Sequence, residues 1–156
     1  TMTEDLQMVE RNEWVELCQA FLDKNGVKHF SPLEIADVGR EANGYCLEAP
    51  ALSKLKNALP LIRILEWLRE YDVTAPVLIN SWYRDRNYNR SIGGVSRSMH
   101  LTLGACDIVK IGFTPRQVAL ALEMHPQSRT FGIGRYDNFT HLDVRGQLGM
   151  TAPARW

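Results

Sequence analysis

An α+β fold, with a helical N-terminal half packed on a small, mainly antiparallel sheet, is predicted by three observations. Apolar residues recur at three- and four-residue spacing through the first half, short β-branched runs replace that pattern after Val73, and the residues able to do chemistry cluster in the second half. At 156 residues the chain suits one domain around one core, residues 1–156, with a helical part over about 1–72 and a sheet part over about 73–156.

Between Asn12 and Asn25 the residues Trp14, Val15, Leu17, Cys18, Phe21 and Leu22 define one helix face, and Gly26 stops the helix. Ser31-Pro32-Leu33-Glu34 has the form of a capping box and starts a short second helix. From Leu52 to Leu68 the pattern is helical, but Pro60 lacks an amide hydrogen, which predicts one bent helix or two consecutive ones. Pro76-Val77-Leu78-Ile79-Asn80 reads as a buried strand, the polar segment Tyr83–Ser98 with Gly93-Gly94 as a long loop, and Cys106–Val109 as a second strand. Thr114-Pro115 opens a helix ending near His125-Pro126, where a partly protonated imidazole suits the helix dipole. Phe131–Gly134 and Phe139–Val144 flank the turn Tyr136-Asp137-Asn138 as a hairpin.

Composition excludes several classes. Lysine plus arginine equals aspartate plus glutamate at 18 each, so no overall field draws the protein toward nucleic acid or an anionic membrane. No nucleic-acid partner and no membrane insertion are expected, and the arginines Arg86, Arg90 and Arg97 read as solvating their loop. Cys18, Cys46 and Cys106 are odd in number and form no Cys-x-x-Cys pair, which argues against a disulfide framework and a thiolate zinc site. The acidic start carries no visible export signal.

His100 and Asp107 stand seven apart, and His141 follows in Phe139-Thr140-His141-Leu142-Asp143. Two imidazoles and a carboxylate make an open zinc site: catalytic Zn2+ keeps three protein ligands and one free position, whereas structural zinc is closed by four, typically thiolates. The set therefore reads as hydrolytic. On a strand, His141 and Asp143 share one face and Thr140 and Leu142 the other, and Cys106 points away from the side that Asp107 takes.

Ser98-x-His100 followed by Ala105-x-Asp107, with His141 downstream, resembles the zinc D-alanyl-D-alanine carboxypeptidases and L-alanyl-D-glutamate endopeptidases that cleave peptidoglycan stem peptides, a fold shared with sonic hedgehog. Ile79–Arg84, Tyr88-Asn89, Gly93-Gly94 and Gly132–Tyr136 also look like segments of that family, so the resemblance runs from about Pro76 to Arg145. It implies Zn2+ on His100, Asp107 and His141, Arg84 stabilising a developing oxyanion or binding a substrate carboxylate, and Ser98 and Tyr83 contacting substrate. The sequence departs from the family at Trp82 and Leu103, where glycine is usual, and at Asn138 and Phe139, where relatives carry the general base. Asp143 is the first alternative for that base and Asp137 the second; Asp143 equally suits orienting a ligand histidine.

The implied activity is hydrolysis of a stem-peptide amide by metal-activated water, by a monomer. The implied delivery is from the cytoplasm to the cell wall, as for a phage lysin or a secreted effector. The competing class is a non-enzymatic zinc-containing binding or phage structural module of the same fold.

Overall fold

The computed structural model describes residues 2–156. Helix α1 (Met2–Lys24) begins earlier than its apolar stripe and buries Trp14, Cys18 and Leu22, with Val15 and Phe21 packed at the margins. Leu17, expected on that face, is instead 46% exposed. At about 100° per residue it lies about 100° from the stripe's centre, against about 60° for Val15 and Phe21. Gly26, at φ 67°, ends the helix in the left-handed region.

Helix α2 (Pro32–Ile35) is capped as its sequence suggests, with the Ser31 amide and hydroxyl both donating to Glu34 Oε1 at 3.0 Å. A small hairpin follows that the sequence reading did not include, β1 (Glu41–Ala42) paired with β2 (Tyr45–Cys46). Its turn residues Asn43 and Gly44 have φ of 51° and 78°, the Asn-Gly signature of a type I′ turn. A 3-10 turn, Leu52–Lys54, then leads into α3 (Leu55–Tyr71). The change of helix type falls at Leu55 rather than at Pro60, and α3 runs through the proline. An interior proline costs about 3 kcal/mol. Burial of Leu61, Ile62, Ile64, Leu65 and Leu68, at about 1.5–3 kcal/mol each, outweighs it.

The main sheet comprises β3 (Val77–Ser81), β4 (Ala105–Lys110), β5 (Gly132–Arg135), β6 (Thr140–Asp143) and β7 (Ala154–Arg155), in the order β3-β4-β6-β5-β7. Every pairing is antiparallel except that of β5 with β7. One face packs Val77, Cys106, Ile108, Ile133 and Leu142 into the core with α1 and α3. Helix α5 (Pro115–Glu123), capped by Thr114, adds Val118 and Leu122, and Thr140 ties it to β6 by donating to the Pro115 carbonyl at 3.0 Å. Burial pushes the Cys18 thiol up to about 12 and that of Cys106 well above its ordinary range, as suits inert core groups. His125 packs edge-on against Trp67, at 5.0 Å between ring centroids. Burial lowers its pKa and its Nδ1 accepts the Gln127 amide at 3.0 Å, both of which disfavour the partly charged ring expected at the helix end. Among the described residues no helix is long and apolar enough to cross a membrane.

The segment read as an unbroken loop contains a helix, α4 (Arg86–Ser91). Asp85 explains it: one carboxylate oxygen accepts the Tyr88 amide at 2.8 Å as an N-cap and the other accepts the Glu48 amide at 3.0 Å. The Asn89 side chain then donates to the Val95 carbonyl at 2.9 Å and closes the remaining loop. Asp85→Ala should therefore destabilise the protein by about 2–3 kcal/mol in urea unfolding, the sum of a lost cap and an unsatisfied amide, with Asp85→Asn costing less.

Candidate metal centre

The face of the sheet opposite the core carries the chemistry. In the β4–β6 register Asp107 lies directly across from His141 and Ala105 across from Asp143. A bulge between Ile79 and Ser81 brings Ser81 across from Asp107, so that strand β3 keeps Ile79 on the core side and turns Ser81 to the site. Ser81 Oγ accepts from Arg84 Nε at 3.1 Å, and Arg84 Nη2 donates to Asp107 Oδ2 at 3.1 Å.

His100 arrives from a 3-10 turn, Met99–Thr102, whose N-cap Ser98 accepts the His100 amide at 3.2 Å. Its Nδ1 lies 2.7 Å from the Trp82 carbonyl. A carbonyl oxygen only accepts, so Nδ1 carries the proton and Nε2 presents its lone pair, 3.2 Å from Asp107 Oδ1. Trp82 itself is buried and donates from its indole to the Leu103 carbonyl at 2.9 Å. Leu103 has φ 68°, the left-handed conformation that accounts for glycine being usual at this place. Here the fully buried leucine side chain offsets the strain.

His141 is held from both edges. Nδ1 faces Asp107 Oδ1 at 3.0 Å and Nε2 faces Asp143 Oδ2 at 2.8 Å. Asp143 is fully buried, and Arg145 closes it off: the guanidinium donates to both carboxylate oxygens at 2.8 and 2.7 Å, and the Arg145 amide adds a third bond at 3.0 Å. Trp156 covers the other side of His141 with ring centroids 5.2 Å apart and donates from Nε1 to the Tyr136 hydroxyl at 2.8 Å. Two glycines of β5 leave the space for this. A Cβ on Gly132, opposite Asp143, would lie 2.5 Å from Arg145 Nε, and one on Gly134, opposite His141, would lie 2.5 Å from the Trp156 indole nitrogen.

The ligand atoms of His100, Asp107 and His141 all fall within 4.8 Å of one another and open onto a cavity of about 490 Å³. Arg84 and Ser98 line that cavity. Tyr83 lies beside it, lining the adjoining groove. Neither carboxylate considered as a general base is brought to the cavity. Asp143 is sealed behind His141, and Asp137 is exposed in the turn between β5 and β6, so among the described residues Asp107 is the one carboxylate on the cavity wall. Trp82, Arg145 and Trp156 were not singled out as site residues by the sequence, since one acts through its backbone and the others through neighbours distant in the chain.

A family model described as Peptidase M15 matches residues 28–143. The chain belongs to this family. No curated protein matches it significantly. M15 peptidases are zinc metallopeptidases, and the donor set of this member fits that metal: two imidazole nitrogens and one carboxylate oxygen, with a position left open. Each donor is also braced from outside, His100 by the Trp82 carbonyl, His141 by Asp143, and Asp107 by Arg84, the arrangement that fixes tautomer and orientation in zinc centres.

Electrostatics follow from this bracing. Burial acts to raise the pKa of Asp107, yet the His141 hydrogen bond and the two imidazoles packed against the carboxylate hold it well below the usual carboxylate range. Burial acts to lower that of His141, but its bonds to Asp107 and Asp143 outweigh burial and shift it upward. A raised pKa keeps the metal-free ring protonated to higher pH, and a bound metal must displace that proton. Zinc affinity of this M15 member should therefore rise with pH through neutrality, and calorimetry in buffers of different ionisation enthalpy should show proton release on zinc addition at pH 7. Asp143→Asn should weaken zinc binding by about 10–100-fold, measured by competition with a chelator, because the His141 brace loses its charge.

Proposed function

We propose that this zinc metallopeptidase hydrolyses an amide in a peptidoglycan stem peptide. One observation carries the reading: three braced donors converge at the wall of an open cavity on the sheet face away from the core. Zinc bound there would polarise the scissile carbonyl and lower the pKa of a bound water. The protein's own residues supply the rest. His100 presents Nε2 because the Trp82 carbonyl holds its other nitrogen. His141 presents Nδ1 because Asp143 holds Nε2, so Asp143 serves as a positioning residue. Arg84, half-buried beside Asp107 and facing the cavity, is placed to stabilise negative charge on a substrate oxygen. Ser98 and Tyr83 line the approach.

The second reading, a zinc-containing binding module without hydrolysis, draws on the absence from the cavity wall, among the described residues, of any carboxylate other than Asp107. Incubation with purified sacculi and a synthetic stem peptide, read by mass spectrometry beside metal analysis, separates the two. The expected result is about one zinc per chain and peptide products that vanish in His100→Ala together with the metal. Zinc without products supports the binding module, and no zinc in the wild type overturns the ligand assignment.

A further inference from the structure

The cavity at the metal centre is not isolated. A second groove of about 690 Å³ adjoins it, and Arg97, Ser98, Met99 and Met150 line both. This groove carries three cations, Lys54, Arg86 and Arg97, against the carboxylates of Glu48 and Asp85. Asp85 is buried, its two oxygens accept backbone amides, and it forms no ion pair with these cations among the described residues. Lys54 donates to the Leu101 carbonyl at 3.0 Å and sits 5.5 Å from the centre of the Tyr83 ring, so it is held in place without a carboxylate partner among the described residues. Among the described residues neither Arg86 nor Arg97 forms an ion pair or a side-chain hydrogen bond. In a chain of zero net charge, three cations against two carboxylates, with no ion pair between them among the described residues, are a local feature with a consequence for binding beside the reacting centre. Sequence alone assigns Arg86 and Arg97 to solvation of their loop, and the fold sets both on the wall of one groove.

We infer that this groove recognises a free carboxylate of the bound peptide, with Arg97, at the junction of groove and cavity, as the residue that selects it. A guanidinium fork matches a carboxylate in two parallel hydrogen bonds, which a carboxamide cannot reproduce. The inference rests on the peptidase reading for the identity of the peptide, but not on turnover. A stem peptide offers the carboxylate from two sources, the glutamyl α-carboxylate and the C-terminus, and amidation removes either one.

The test uses L-Ala-γ-D-Glu-L-Lys-D-Ala-D-Ala in three forms: free acid, amidated at the glutamyl α-carboxylate, and amidated at the C-terminus. Binding to the zinc-loaded protein is measured by calorimetry, with products followed in parallel. One of the two amides should bind about tenfold more weakly than the free acid, as for loss of a charge-assisted contact. That difference should shrink toward unity in Arg97→Gln and be partly kept in Arg97→Lys, and the form affected identifies the source. Equal binding of all three forms, or discrimination that survives in Arg97→Gln, would overturn the inference. Discrimination without products would leave it standing and sink the peptidase reading, whereas products with equal binding would do the reverse. Arg97 is exposed, so its variants should fold, and their zinc content provides the check.

Discussion

The antiparallel register between β4 and β6 is the constraint on which the rest of the site depends. It sets Asp107 across from His141 on one face while Cys106 and Leu142 pair on the other. A slip of one residue would put His141 and Asp143 into the core and Leu142 into the cavity, because side chains alternate strictly along a strand. The burial of Leu142, Cys106 and Ile108 opposes that slip at about 1.5–3 kcal/mol for each large apolar side chain. The hydrophobic core on one face of the sheet thus fixes the geometry of a polar site on the other.

Burying ionisable groups on this face is costly, and the structure meets the cost by pairing. Asp143 is fully buried yet has four hydrogen bonds, three from Arg145 and one with His141. Those bonds outweigh the desolvation that would otherwise raise its pKa, and it lies well below the ordinary range. Such a carboxylate is saturated, which suits holding a histidine in one orientation and not exchanging protons with water in a cleft. Gly132 and Gly134 belong to the same device, because any side chain there would displace Arg145 or Trp156. Alternating glycines on β5 and alternating His141 and Asp143 on β6 are two halves of one packing solution.

Membership of the M15 family and the departures from its pattern fit together physically. Leu103 takes the left-handed backbone that glycine would adopt freely, and full burial of its side chain compensates. Trp82 gives its carbonyl to His100, a role open to any residue at that place, while its indole fills the core and bonds the Leu103 carbonyl. The floor of the site is thereby rebuilt without moving the histidine.

Sequence alone determined the helical first half, the hairpin of β5 and β6, the faces of His141, Leu142 and Cys106, and the trio His100, Asp107 and His141 that the fold brings together. Those follow from periodicity and from chemistry local to short segments. It left α4 unseen, because the cap on Asp85 gains its second partner, the Glu48 amide, from 37 residues away. It also passed over the Asn43-Gly44 hairpin, which its turn signal could have revealed. Only the tertiary structure sets Asp143 behind His141 and away from the cavity, because that placement depends on Arg145 closing over the carboxylate and on which side of His141 the cavity opens. The partner of His100 likewise emerged only in three dimensions, since a backbone carbonyl leaves no mark in residue type. Local pattern specifies which side chains share a face, but burial and proton position are set by groups far apart in the chain, and only folding brings these together.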